Sequence, residues 1–210
     1  MKYRSLIPLF IVVCAAPVAA QSAPPKPPKA LNTLALAGEA VAVLPLTLTA
    51  VDPALTRDST LVALRDRPAV RRWADSVIGD RLTERAPEGS WVLPPKLRQI
   101  ARRNPGMVAE PDQMGQSILR SPKLKRVPDP LRTNLRSLTS FTGGRFAIVP
   151  AALAFVRDST GSLRADLSIA LADTRTGAVA WHALTWGMGS SPDEALSAAL
   201  AAVLPPLTDP

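Results

Sequence analysis

Residues 145–186 read RFAIVPAALAFVRDSTGSLRADLSIALADTRTGAVAWHALTW. Three apolar runs stand between two short polar breaks, and that rhythm decides the fold. Arg145–Arg157 is a first strand, Leu163–Ala172 a second and Ala178–Trp186 a third. The breaks, Asp158-Ser159-Thr160-Gly161 and Asp173-Thr174-Arg175-Thr176-Gly177, are rich in turn formers. Strands joined by turns this short predict an antiparallel meander. In the second strand Leu163, Ala165, Leu167, Ile169 and Leu171 alternate onto one face. Pro150 cannot donate to a ladder, so it predicts an edge or a bulge in the first strand.

The meander is followed by a helix. Ser191-Pro192-Asp193-Glu194 is a capping box with proline at the first helical position. Leu196, Ala199, Leu200, Val203 and Leu204 then form one apolar face. Upstream, Asp129-Pro130 is read as a cap and proline start. Leu131, Leu135 and Leu138 make a helical stripe that Gly143-Gly144 ends. Pro111–Leu119 is a short helix. Ser90–Leu93 is a short strand, and Pro94-Pro95 opens a helix that runs to Arg103 and stops at Asn104-Pro105-Gly106.

Asp66 and Pro68 start a long helix with Val70, Trp73, Val77, Ile78 and Leu82 on its inner face. Arg71, Arg72, Asp75, Asp80, Arg81 and Arg85 are placed on its solvated side. Asp52–Arg67 is read as a loop with a turn at Arg57-Asp58-Ser59. Glu39–Ala50, EAVAVLPLTLTA, is apolar on both faces and predicts one strand buried on both sides. The order β-α-β-α-α-β-β-β-α makes an α+β fold. It is a single two-layer sandwich, with helices packed on a mixed sheet that ends in the antiparallel three-strand meander.

The chain of 210 residues is 47% apolar and only 4% aromatic, so its core is built from Leu, Val, Ala and Ile. Its start is a targeting signal. Lys2 and Arg4 precede an apolar run from Leu6 to Ala16, and Val18-Ala19-Ala20 offers small residues for cleavage before Gln21. Residues 1–20 are therefore expected to be removed on export to the periplasm or cell envelope. No transmembrane span is expected to remain. Cys14 is the only cysteine. It follows Val13, inside the apolar run, so lipidation there is not expected. The mature chain then has no disulfide and no cysteine metal site. Residues 21–38, with Pro24-Pro25-Lys26-Pro27-Pro28-Lys29, read as an extended tether or, equally, as a plain disordered N-terminus. The domain occupies 39–210.

Val41-Ala42-Val43-Leu44-Pro45 resembles the opening strand of the CsgG/TolB amino-terminal-domain type of envelope protein. Arg145-Phe146-Ala147-Ile148-Val149 is similar to that group's middle strand. Leu171–Trp181 resembles its hairpin signature, in which Asp173 and Gly177 bracket a turn and Trp181 returns over the sheet. Pro150 stands where the group usually has glycine. The resemblance implies an anticodon-binding-like α/β sandwich and a periplasmic accessory or assembly role that works by binding.

Catalytic patterns are sparse. His182 is the only histidine, no H-E-x-x-H occurs, and no carboxylate pair stands out among Asp52, Asp58, Asp66, Asp75 and Asp80. No metal centre, cofactor or catalytic residue is expected. Gly187-Met188-Gly189-Ser190-Ser191 joins a strand end to a helix start, a geometry that can hold an anion. Gly187, Gly189, Ser190 and Ser191 are thus a possible anion turn, although Asp193 and Glu194 compete for it.

The net charge is +8. Much of it lies in one stretch, where Lys96, Arg98, Arg102, Arg103, Arg120, Lys123, Lys125, Arg126, Arg132 and Arg136 are answered by Glu110, Asp112 and Asp129. Without interleaved aromatics or access to the cytoplasm, nucleic acid is not the expected partner. Arg102, Arg103, Lys123, Lys125, Arg126, Arg132 and Arg136 are binding candidates for an envelope protein or an anionic envelope surface. The plain alternative is a solvated helix face. The expected function is a non-catalytic envelope accessory domain that docks through this basic segment or a sheet edge. A secreted enzyme using the Gly187–Ser191 turn, with His182, is the alternative.

Overall fold

A computed structural model describes residues 28–158 and 160–206. The expected signal, Cys14 and the Pro/Lys stretch up to Pro27 lie outside the described residues.

Six strands form one mixed sheet: β1 (Ala40–Val43), β2 (Thr49–Val51), β3 (Ser90–Val92), β4 (Phe146–Arg157), β5 (Leu163–Asp173) and β6 (Ala178–Gly189). The order is β3-β1-β4-β5-β6, and β2 pairs with the far end of β4. β1 runs parallel to β3 and β4, while β4, β5 and β6 are the expected antiparallel meander.

The helices are α1 (Pro53–Arg57), α2 (Arg67–Arg85), α3 (Pro94–Arg103), α4 (Leu131–Thr142) and α5 (Pro192–Ala201). The α+β class and the mixed sheet with packed helices stand as read. On one face α2 and α5 cover the sheet through Val70, Val77, Ile78, Leu82, Leu196 and Leu200. On the other, α3 and α4 press Leu97, Leu131, Leu135 and Leu138 onto Ala42, Leu44, Ala147, Val149, Ala170 and Ala172. The sandwich thus has two layers at the β2 end and gains a third under α3 and α4.

Two bulges set which residues face where. Ile148 and Pro150 have even numbers, yet Leu153 and Phe155 share the α2/α5 side with Ile148. The ladder slips between Pro150 and Ala152, leaving Ala151 as an extra residue, and a single extra residue inverts the alternation. Pro150 therefore marks a bulge, in a strand that lies inside the sheet. A second slip, at Ala180, brings Trp181 and Ala183 back to the α2/α5 side.

The expected strand Glu39–Ala50 is broken. β1 stops at Val43 and β2 starts at Thr49, because Pro45 has no N–H and the Leu46 N–H donates to Asp75 Oδ1 at 2.7 Å. Asp75 is not a solvated acid: it is 6% exposed. Arg98 donates to its Oδ2 at 2.8 Å and also grips both oxygens of Asp112. This clasp ties α2 on one face to α3 on the other. Burial pushes the Asp75 carboxyl above its ordinary range against the pull of Leu46 and Arg98, while the Arg98 fork lowers Asp112.

Other boundaries shift for local reasons. Asp52–Arg67 is helical: Asp52 and Asp58 cap α1 and a 3-10 helix, Ser59–Arg65. Asp66 caps α2 as expected. Pro111–Leu119 splits into 3-10 turns Pro111–Gln113 and Gln116–Arg120 around Gly115, whose φ is +74°. Asp129 does not cap α4. Pro130 holds the cap position, and Asp129 accepts from the Thr133 hydroxyl. Gly143, in the left-handed region, ends α4 as read.

Part of the stretch 21–38 expected as a tether is packed on the domain. Leu31 and Leu36 are buried in the α2/α5 core, the Leu31 N–H donates to Val203 O, and Trp181 Nε1 donates to Lys29 O. Packing against the domain therefore begins well before Glu39.

Candidate functional site

The α3/α4 side of the sheet is covered over only half its area. Toward the β2 end the 3-10 turn Gln116–Arg120 covers Ser168, whose hydroxyl donates to Arg120 O at 3.4 Å, and beyond it the even-numbered residues of β5 and β6 face outward with no helix of the described residues over them. The rows run Ala152–Ser168–Leu184, then Ala154–Asp166–Trp186, then Val156–Arg164–Met188. Leu184 is 56% exposed, Trp186 50% and Met188 39%, with Leu48 beside them. The odd-numbered partners Ala183 and Thr185 are buried against α5, and Thr185 donates to Ala199 O at 2.8 Å. Strand alternation alone splits β6 into a core face and an open apolar face. A shallow groove of about 490 Å³ runs between Leu48, Ala50, Ala152, Ala154, Leu184 and Trp186. Arg120 and Asp166 also line it, and Asp166 is paired with Arg164.

β6 is also an edge. Its first residues are matched by the segment Lys125–Val127: Val127 N–H donates to Gly177 O at 2.8 Å and Val179 N–H to Lys125 O at 2.9 Å. Beyond Val179, no strand among the described residues pairs with the outer side. Ala178–Gly189 contains no Pro, Lys, Arg, Asp or Glu, the residues that normally guard an open edge.

The basic candidates divide. Lys125 and Arg126 lie against the start of β6, and an Arg126 Nη2–H donates to Thr176 O at 3.1 Å. Arg132 and Arg136, on α4, face the β5–β6 turn across a groove of about 380 Å³ that Arg175 also lines. Arg102 and Arg103 end α3 and line neither groove, and nor does Lys123. Arg98 is spent inside the Asp75–Asp112 clasp.

The Gly187–Ser191 turn is filled by its own helix. Glu194 accepts from Ser190 N–H at 2.8 Å and Ser190 Oγ–H at 2.6 Å, and Ser191 Oγ accepts from Glu194 N–H. A Cβ on Gly187 would sit 2.2 Å from Ala199 N, and one on Gly189 2.5 Å from Glu194 Cβ. These glycines exist so that α5 can approach β6. His182 lies on the opposite face of β6, its Nε2 3.4 Å from Ser168 Oγ. Burial and the Lys125 charge lower its pKa below the usual histidine value. The turn and the histidine therefore do not meet in one pocket.

No protein-family model matches the chain, and no curated protein matches it in sequence. Solved structures give distant likenesses. It is similar to a PelC dodecamer from Paraburkholderia phytofirmans, at 16% identity over 84% of this chain and 89% of that one, with a TM-score of 0.40. It is similar to an LpoB C-terminal domain from Salmonella enterica, at 13% identity over 74% and 84%, with a TM-score of 0.37. Lipoprotein GNA1162 from Neisseria meningitidis follows at 12% over 73% and 82%, with a TM-score of 0.34. Likenesses this remote say nothing of what the chain binds. Among the described residues, no helix is long and apolar enough to cross a membrane.

Sequence reasoning missed Arg175 and the open face of β6. Arg175 belongs to a turn far along the chain from Arg132 and Arg136. The open face did carry a signal: Leu184, Trp186 and Met188 are large apolar residues repeating with period two.

Proposed function

We propose that this chain is a non-catalytic accessory or assembly domain of the cell envelope, exported by residues 1–20 and acting by binding an envelope protein. An extended segment of that partner adds to the outer side of β6 and lays apolar side chains on Leu184, Trp186 and Met188. One observation carries this reading: an unguarded edge strand and an exposed apolar sheet face coincide on β6. Main-chain pairing would supply affinity, and the alternate side chains specificity. The separation of His182 from the Gly187–Ser191 turn supports the non-catalytic part. The folded unit begins near Leu31 and extends to residue 206 or beyond.

The test is site-specific photo-cross-linking in the periplasm. A photoreactive residue at Leu184 or Trp186 is expected to capture a discrete envelope protein. The same residue at Val62, which is 55% exposed on the far side, is not. Equal capture at all three positions, or none, rejects the proposal.

A further inference from the structure

We infer that the groove between α4 and the β5–β6 turn binds a phosphoryl group. Arg132 and Arg136 stand one helical turn apart on α4, and Arg175 faces them from the turn. Their approach is built in. Gly177 holds φ +73°, and a Cβ there would lie 2.5 Å from Arg132 Cδ, so the arginine stem rests across the glycine. The turn itself is locked, because Asp173 Oδ1 accepts from Arg175 N–H at 3.0 Å and Thr176 N–H at 3.2 Å.

The positive charge in this groove is largely unanswered. Among the described residues Arg136 and Arg175 have no ion-pair partner, and Arg132 meets exposed Asp129 only at 3.7 Å. Asp173, the nearest buried acid, is taken by Arg145. Glu39 lines the adjoining groove, which Arg136 and Arg175 share, but forms no ion pair with either among the described residues. Hydroxyls of Thr133, Ser137 and Ser140 line the same groove. Three guanidinium forks around one small space exceed what a single carboxylate can neutralise. A phosphoryl dianion offers both the charge and the tetrahedral acceptors that such forks grip. This site is separate from the β6 edge and stands without it.

The phosphoryl group could come free, as phosphate or a soluble monoester, or as the headgroup of an anionic phospholipid. Two arms separate these sources, using the mature chain at low salt: calorimetric titration with inorganic phosphate, and co-sedimentation with phosphatidylglycerol–phosphatidylcholine vesicles. Each is run with the double variant Arg136→Gln/Arg175→Gln and with Arg102→Gln/Arg103→Gln. Binding in either arm that falls at least tenfold in the first variant, and less than twofold in the second, supports the site and identifies its source. Absence of binding in both arms, or equal losses in the two variants, overturns it. Thermal midpoints of both variants, expected to be unchanged, show that the fold is intact.

Discussion

The two halves of the α3/α4 side belong to one sheet and end differently. The covered half presents small residues, Ala42, Ala147, Val149, Ala170 and Ala172, and α3 and α4 come down on them with leucines. The open half presents Ala152 and Ala154 on β4 but Leu184, Trp186 and Met188 on β6, with the Arg164–Asp166 pair between them, and no helix among the described residues covers these β6 side chains. Small side chains let a helix axis approach a sheet, while large ones hold it off and offer contact area instead. On the proposed reading the open half is the surface that the partner meets, since exposed apolar patches on a sheet face often mark interaction sites.

The contrast can be broken at the clasp that holds the covering layer. Asp75→Ala would strand the Leu46 N–H and leave Arg98 held by Asp112 alone, and a buried hydrogen bond to a charged group contributes about 1.5–3 kcal/mol. Urea unfolding should show a loss of that size, and a change under 1 kcal/mol would mean that α3 is held by packing alone. The contrast sharpens with matched truncations. Leu138→Ala, under α4, should cost about 2–5 kcal/mol. Leu184→Ala, on the open half, should stay within about 0.5 kcal/mol, as surface changes do. Equal losses would mean that both halves are core.

A third effect is acid-linked. Arg145 and the turn N–H groups hold the Asp173 carboxyl well below the usual carboxylate range. Its folded pKa is depressed, so its contribution is present above the unfolded value, near pH 4, and is lost as pH falls below it. Asp173→Asn should therefore cost about 1–3 kcal/mol at pH 7 and progressively less below pH 4. Thermal midpoints of both proteins at pH 7 and pH 3 check this, and a gap that does not shrink in acid would refute it.

Much of the fold was legible because its signals are local. Alternation in Leu163–Leu171, the Asp66 and Ser191 helix starts and the Gly143 stop each need only a few neighbouring residues. What escaped depends on distant partners. The break at Pro45–Leu48 is sealed by a carboxylate on α2, and Asp75 looked solvated although its spacing to Ile78 and Leu82 places it on the inner stripe. Of the basic candidates read from the charge run, Lys125 and Arg126 lie beside the start of β6, while Arg132 and Arg136 come together at one groove. Arg175 could not be joined to them without the hairpin closing beside α4. Arg102, Arg103 and Lys123 share only the run, because a stretch of charge in sequence crosses several surfaces once folded.

The extra residue in β4 has a consequence for how this chain can change over generations. Ala151 is slack: a lost codon there straightens the strand and leaves every neighbour on its own side, at the expense of some twist. β5 holds no such reserve between Leu163 and Leu171. A codon lost there turns half a strand inside out, so length variation among descendants is channelled into one strand and forbidden to the next.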